Sequence, residues 1–254
     1  MNRIIRIEQD GRPVYGRLQG ETVELLSDAP WAGGAPTGAT AQLGSAKLLA
    51  PCAPSKIVCV GRNFAAHAAE LGNAVPTEPL IFLKPPSAVI GPGAPIVLPK
   101  LSENVQHEAE LAVVIGRRCR NVSAADAKDY VFGFTALNDV TARDIQRAET
   151  QFTRAKSFDT FCPIGPWIVE GMPEGPRAVR CRVNGQVRQD GSTANMIHDV
   201  AALVAFMSRV MTLAPGDVIS TGTPAGVDRL APGDTVEIEI EGVGVLSNPV
   251  TPEE

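Results

Sequence analysis

Aromatic side chains are scarce in this chain, only 5% of 254 residues, and it carries 23 Lys+Arg against 28 Asp+Glu for a net charge of −5. No basic patch interleaved with stacking aromatics can be drawn from such a sequence, so nucleic acid is excluded as the main partner. Long apolar runs are also missing. The longest uninterrupted one, Val200 to Met207, is far short of the roughly 18 residues a membrane span needs. Residues 1–12 contain no apolar core of the signal-peptide kind, which points to a cytoplasmic protein with no membrane partner. The five cysteines (Cys52, Cys59, Cys119, Cys162 and Cys181) form no C-x-x-C pair, and an odd number fits neither a disulfide framework nor a zinc site. They read as reduced, buried thiols.

Apolar material is ample: 44% of residues are hydrophobic and 20% charged, enough for a packed core and too little charge for disorder. With 24 Gly and 21 Pro the chain is rich in turns, which describes many short strands. Residues 3–8, 14–18 and 22–26 read as a meander punctuated by Asp10-Gly11 and Gln19-Gly20. Residues 29–40 have linker composition, which sets a boundary between a small N-terminal β module (1–50) and a main body (51–254).

In the body, residues 56–60, 108–115, 132–139, 217–221 and 235–241 read as strands, and Asn184-Gly185 marks a hairpin. Asn63 is a suitable N-cap for a short Ala-rich helix ending at Gly72, and residues 199–213 carry the one long amphipathic helix. Strands dominate and helices do not alternate with them. The fold class is therefore mixed β with few helices (α+β), not a doubly wound or barrel α/β fold.

Two acidic sets have strand spacing. In 235–241 the carboxylates alternate with Val and Ile, the pattern of a strand with one solvated face. Glu108 and Glu110 differ, because the residues that follow are apolar on both faces, so two carboxylates about 7 Å apart would be desolvated together. A hard divalent cation relieves that conflict, with Asp139 as third oxygen ligand; pairing with Arg143 or another cation is the alternative. His67 and Glu70, at i and i+3 of the short helix, share a face and could form a general base, or lie on a solvated surface. His107 reads as a partly buried histidine and His198 as local capping.

The ordered motifs Val60-Gly61-Arg62-Asn63-Phe64, Phe82-Leu83-Lys84-Pro85, His107-Glu108-Ala109-Glu110-Leu111, Asn138-Asp139-Val140-Thr141-Ala142-Arg143-Asp144, Lys156-Ser157-Phe158-Asp159 and Thr221-Gly222-Thr223-Pro224 together resemble the fumarylacetoacetate hydrolase family, from about residue 54 to Pro249. The resemblance implies a β-sandwich roll, a homodimer, and Mg²⁺ or Mn²⁺ held by Glu108, Glu110 and Asp139. It makes His67, Glu70 and Lys156 catalytic. Gln146 and Thr223 match positions that contact the substrate carboxylate or oxo group, and Arg143 and Lys84 match supporting positions. Phe64 stands where a tyrosine is frequent. The implied substrate is a small 2-oxo or β-diketo acid, whose keto oxygen and carboxylate chelate the metal so that an enolate forms. Hydrolysis of an acylpyruvate or decarboxylation of a β-oxo acid would break a C–C bond from there. An isomerase of unsaturated 2-oxo diacids in aromatic catabolism is the alternative.

Overall fold

The structure is a computed structural model that describes residues 2–254. The N-terminal meander comprises β1 (Arg3–Gln9), β2 (Arg12–Gln19), β3 (Thr22–Leu26) and β4 (Pro36–Gln42), followed by the short β5 (Lys47–Leu48). Then come β6 (Ile57–Gly61), helix α1 (Ala65–Glu70) and β7 (Leu80–Lys84). Three short strands, β8 (Val89–Ile90), β9 (Ile96–Leu98) and β10 (Val105–Gln106), lead into the long β11 (Ala109–Ile115) and β12 (Val131–Asn138). The short β13 (Thr141–Ala142) runs into helices α2 (Arg143–Ala148) and α3 (Thr153–Lys156), and β14 (Cys162–Glu170) follows. A hairpin of β15 (Ala178–Val183) and β16 (Gln186–Ser192) precedes α4 (Val200–Val210), and β17 (Val218–Ser220), β18 (Thr235–Ile240) and β19 (Gly244–Pro252) complete the chain.

The mostly-β, four-helix architecture agrees with the sequence reading. The principal sheet runs β4-β3-β2-β1-β14-β12-β11-β17-β6-β7, and a second runs β16-β15-β18-β19-β9. The second packs across β11, β12 and β14. Strand β11 explains why: all seven of its residues are buried. Leu111, Val113 and Ile115 join the core shared with Ile238, Ile240 and Leu246 of the second sheet. Ala112 and Val114 face the opposite core with Ile57, Ile164 and Ile168. A strand that buries both faces needs no polar alternation, and its continuous apolar run is the consequence.

Two local expectations are corrected. The second part of the supposed linker, from residue 36 on, belongs to strand β4, because its backbone pairs with β3. The N-terminal meander joins the principal sheet through the pairing of β1 with β14. Asn63 caps nothing: Phe64 is the residue preceding α1 and no side chain caps that helix. The hairpin reading holds, with Asn184 and Gly185 both at positive φ (52° and 76°), as a two-residue primed turn requires. Helix α4 is capped by Asp199, whose carboxylate accepts from the Ala202 amide at 2.8 Å. All five cysteines are buried and unbridged, and burial raises the Cys52 and Cys162 thiols to about 12. Among the described residues, no helix is long and apolar enough to cross a membrane.

Candidate active site

The acidic residues meet where the β11–β12 ladder ends. Ala109 pairs with Asn138, so Glu108 and Asp139 fall opposite each other just outside the strands, and the Asp139 amide donates to the Glu108 carbonyl at 2.9 Å. Glu110, two residues along the same face, completes the set. One carboxylate oxygen from each of Glu108, Glu110 and Asp139 lies within 4.8 Å of the others, and all three residues are buried.

The three are not compensated equally. Glu108 accepts from Lys156 Nζ at 2.7 Å and from the Arg143 guanidinium. Asp139 accepts from Lys84 Nζ at 2.5 Å and from Lys156 Nζ at 2.7 Å. Glu110 has no cationic partner among the described residues; the Ser220 hydroxyl and the Gly222 amide donate to it instead. The titration behaviour follows. Burial opposes ionisation of Glu108, but the charges of Lys156 and Arg143 more than offset it and hold that carboxyl below the ordinary range. Burial, then Asp139 and Glu108, push Glu110 well above its ordinary value. Burial works against the Lys156 ammonium, yet Asp139 and Glu108 raise it, so it is protonated at neutral pH. The edge of the site is closed by Phe82, whose ring centroid is 5.0 Å from Lys156 Nζ.

Three converging buried carboxylates fit a hard divalent cation, and under-compensated Glu110 is the member that gains most from one. The pairing with Arg143 raised as the alternative is present as well, on Glu108 alone.

His67 Nδ1 lies 3.0 Å from Glu70 Oε2, so the dyad expected from the helix spacing forms. Glu70 also anchors α1, because its Oε1 accepts from the Gly226 amide at 2.9 Å. With Nδ1 engaged, Nε2 is the ring nitrogen left to act on a bound molecule. The opposite end of the helix is fixed by Asn63, which is buried. Its amide donates to the carbonyls of His198 (2.9 Å) and Thr221 (2.8 Å) and accepts from the His198 amide (2.8 Å). Both attachments of α1 thus reach the 221–226 loop or the segment beside it, and His198 contributes its backbone to this clamp, not a helix cap.

His67, the triad, Lys156, Arg143, Gln146 and Thr223 all line one cavity of about 1000 Å³. Gln146 accepts from Arg143 Nη1 and so holds that guanidinium. Lys84 does not line the cavity; it reaches Asp139 from behind and also donates to the Val140 carbonyl at 3.1 Å. Thr223 is placed by Gln189, a fully buried residue that sequence reasoning missed. Gln189 Oε1 accepts from the Ala109 amide (2.9 Å), which fixes its amide orientation, and its Nε2 donates to Thr223 Oγ1 (2.7 Å). The Thr223 hydroxyl proton is spent on the Ala109 carbonyl (2.8 Å), whereas the Thr223 backbone amide meets no acceptor among the described residues. His107, fully buried, holds the other side of Gln189 Oε1 at 3.0 Å. Asn63, Gln189 and Ser220 were not legible as site residues because their partners lie from 34 to 158 positions away; only the Gly-rich 221–226 loop hinted at a shared anchor.

Residues 56–251 match the sequence profile described as "Fumarylacetoacetate (FAA) hydrolase C-terminal", and residues 2–51 one described as "Rv2993c-like, N-terminal". The chain is 48% identical to Protein Rv2993c of Mycobacterium tuberculosis, over 98% of this chain and 97% of that one. It is 44% identical to the mitochondrial oxaloacetate tautomerase fahd2 of Xenopus laevis, covering 80% of this chain and 68% of that one. Among solved structures it resembles 5-carboxymethyl-2-hydroxymuconate delta-isomerase from Mycobacterium smegmatis, with a TM-score of 0.93 and 45% identity over 99% of this chain and 100% of that one.

Proposed function

The chain is an enzyme of the fumarylacetoacetate hydrolase family, and on that premise we propose that it relocates a proton on a small 2-oxo acid through the enolate, as a tautomerase or double-bond isomerase. The observation that carries this reading is the dyad: His67 Nδ1 is held by Glu70, itself fastened to Gly226, in a cavity shared with the acidic triad. A divalent cation, Mg²⁺ or Mn²⁺, held by Glu108, Glu110 and Asp139 would supply Lewis-acid stabilisation of the negative charge that develops on the keto oxygen.

The chain's own residues do the rest. The Lys156 ammonium and the Thr223 backbone amide bind and orient the anionic end of the substrate, and Arg143, fixed by Gln146, adds charge at the same wall. His67 Nε2 takes a proton from the carbon beside the keto group, and Glu70 accepts from Nδ1–H and stabilises the imidazolium. Delivery of that proton to oxygen gives the enol. Delivery to a conjugated carbon moves the double bond. No atoms are lost in either case.

A second reading, C–C cleavage, is favoured by the same dyad, since a carboxylate-backed imidazole also suits water activation. Water adds to the acyl carbon of an acylpyruvate, the C–C bond electrons pass to the pyruvate enolate, and pyruvate and a carboxylic acid leave. For a β-oxo acid, CO₂ leaves instead and His67 only manages protons. Proton NMR of products from oxaloacetate and from acetylpyruvate, with Mg²⁺ and with an EDTA control, separates these outcomes. Accelerated keto–enol interconversion without carbon loss supports proton relocation. Acetate plus pyruvate, or pyruvate from oxaloacetate, moves the function to the second reading.

A further inference from the structure

Strand β16 carries a side chain that its own sheet does not need. The strand lies at the edge of the second sheet, and of its seven residues Gln189 alone is buried. A bulge puts it there: the ladder with β15 passes from Cys181 opposite Gln189 to Arg182 opposite Val187, which leaves Arg188 unpaired and re-aims the residue after it. The Gln189 amide is saturated. Its Oε1 accepts from the Ala109 amide at 2.9 Å and from His107 Nδ1 at 3.0 Å, and its Nε2 donates to Thr223 Oγ1 and to the Pro224 carbonyl, both at 2.7 Å. The Ala109 amide can only donate and the Pro224 carbonyl can only accept, so the side chain has one orientation and His107 is committed as an Nδ1–H donor.

A second feature, independent of these hydrogen bonds, closes the same seam. Two glycines let the β16 backbone touch the 221–226 loop on either side of Gln189. A Cβ on Gly191 would lie 2.5 Å from Pro224 Cβ, and one on Gly226, whose φ is 103°, would lie 2.2 Å from the Arg188 carbonyl oxygen. The approach exists because both side chains are missing. Amide and glycines thus tie together two segments: residues 107–110, which bear two of the triad carboxylates, and the loop that bears Thr223.

We propose that Gln189 is a positioning residue that sets the separation between the acidic triad and the Thr223 main chain, so that a ligand held at both ends fits between them. The proposal rests on the reading of Thr223 as a contact for the anionic end of a 2-oxo acid and deepens it. Gln189 does not line the cavity, so it acts through the loop and not on the ligand. The partners of the triad, which are Lys84, Arg143, Lys156, Ser220 and Gly222, are not among its hydrogen-bond partners. Thr221 is fastened to the Leu111 carbonyl through both its amide (3.1 Å) and its hydroxyl (2.7 Å), which shields Gly222 from movement further along the loop. Loosening Gln189 therefore shifts the loop beyond Gly222 and leaves the three carboxylates where they are. A ligand that spans a fixed point and a displaced donor loses affinity, because its own length cannot change.

The test measures Mn²⁺ affinity and, on the Mn²⁺-loaded protein, 2-oxobutyrate affinity, both by calorimetric titration, in Gln189→Met and in Gly191→Ala. The first removes the amide at similar volume. The second keeps the amide and pushes Pro224 away sterically. Both should weaken 2-oxobutyrate by about ten-fold, the scale of one displaced hydrogen bond, with Mn²⁺ affinity within about three-fold of wild type. In turnover KM should rise by more than kcat falls, a split that lost fold stability alone does not produce. Gly191→Ala carries the test if the methionine variant does not fold. Unchanged ligand affinity in both variants, or Mn²⁺ and ligand affinity falling together, overturns the proposal. A loss confined to Gln189→Met overturns it too, because the amide would then act other than through the loop. Should the wild type bind no 2-oxo acid, that reading falls and amide hydrogen exchange decides the seam: faster exchange over 223–226 in both variants, with β12 unchanged, supports it, and unchanged exchange overturns it.

Discussion

Replacing Asn63 by Ala tests the clamp on which the position of His67 depends. The substitution removes three hydrogen bonds of 2.8 to 2.9 Å and leaves the His198 carbonyl and amide and the Thr221 carbonyl without that partner. The Thr221 bond is wholly buried, so losing it should cost about 1–3 kcal/mol, and the two partly buried bonds should cost roughly 0.5–1.5 kcal/mol each. Their sum is about 2–6 kcal/mol, read as a shift in the urea midpoint at constant slope. The same change frees the N-terminal end of α1, so turnover should fall at substrate saturation, because a displaced His67 harms proton transfer more than ground-state binding. Asn63→Asp should be at least as damaging, since a carboxylate would face two carbonyl oxygens that it cannot donate to. A loss of stability below about 1 kcal/mol with unchanged turnover would refute the clamp.

Three further outcomes follow from the site. Because burial and two neighbouring carboxylates hold the Glu110 proton, and a cation requires the carboxylate, Mn²⁺ binding should release about one proton and weaken as pH falls; buffer-independent calorimetric heats would contradict this. Burial lowers the His107 pKa, so its neutral form stabilises the fold above the unfolded value of about 6.5. That contribution is lost as pH falls below 6.5, and a denaturation series across pH 7.5 to 5 should show a flatter dependence in His107→Gln, roughly level where the wild type declines. Gly222 has φ 93° and a Cβ there would lie 2.8 Å from Asn63 Cβ, so Gly222→Ala should displace the amide that donates to Glu110 and weaken Mn²⁺ binding, measured by equilibrium dialysis.

Much of this site was legible in the sequence because its chemistry is local. Glu108, Glu110 and Asp139 sit at the ends of apolar runs whose burial on both faces is written in composition, and His67 and Glu70 are one helical turn apart. The strand pattern was readable for the same reason, at β11, β12, β18 and the Asn184-Gly185 hairpin. What could not be read depends on pairing across long separations. The 36–42 segment has the composition of a linker, yet it forms a strand because β3 offers it a free edge. Asn63 carries a good capping side chain, and tertiary partners at His198 and Thr221 take it instead. Gln189 and Ser220 have no local signature at all.

The most direct test of the account is deuterium exchange at C3 of a 2-oxo acid in D₂O, followed by proton NMR with the Mg²⁺-loaded protein. Enzyme-catalysed exchange that is abolished by EDTA and falls by about 10²–10⁴-fold in His67→Ala is the result expected of a positioned general base. Exchange that persists undiminished in His67→Ala would contradict the assignment of His67 as the group that moves the proton.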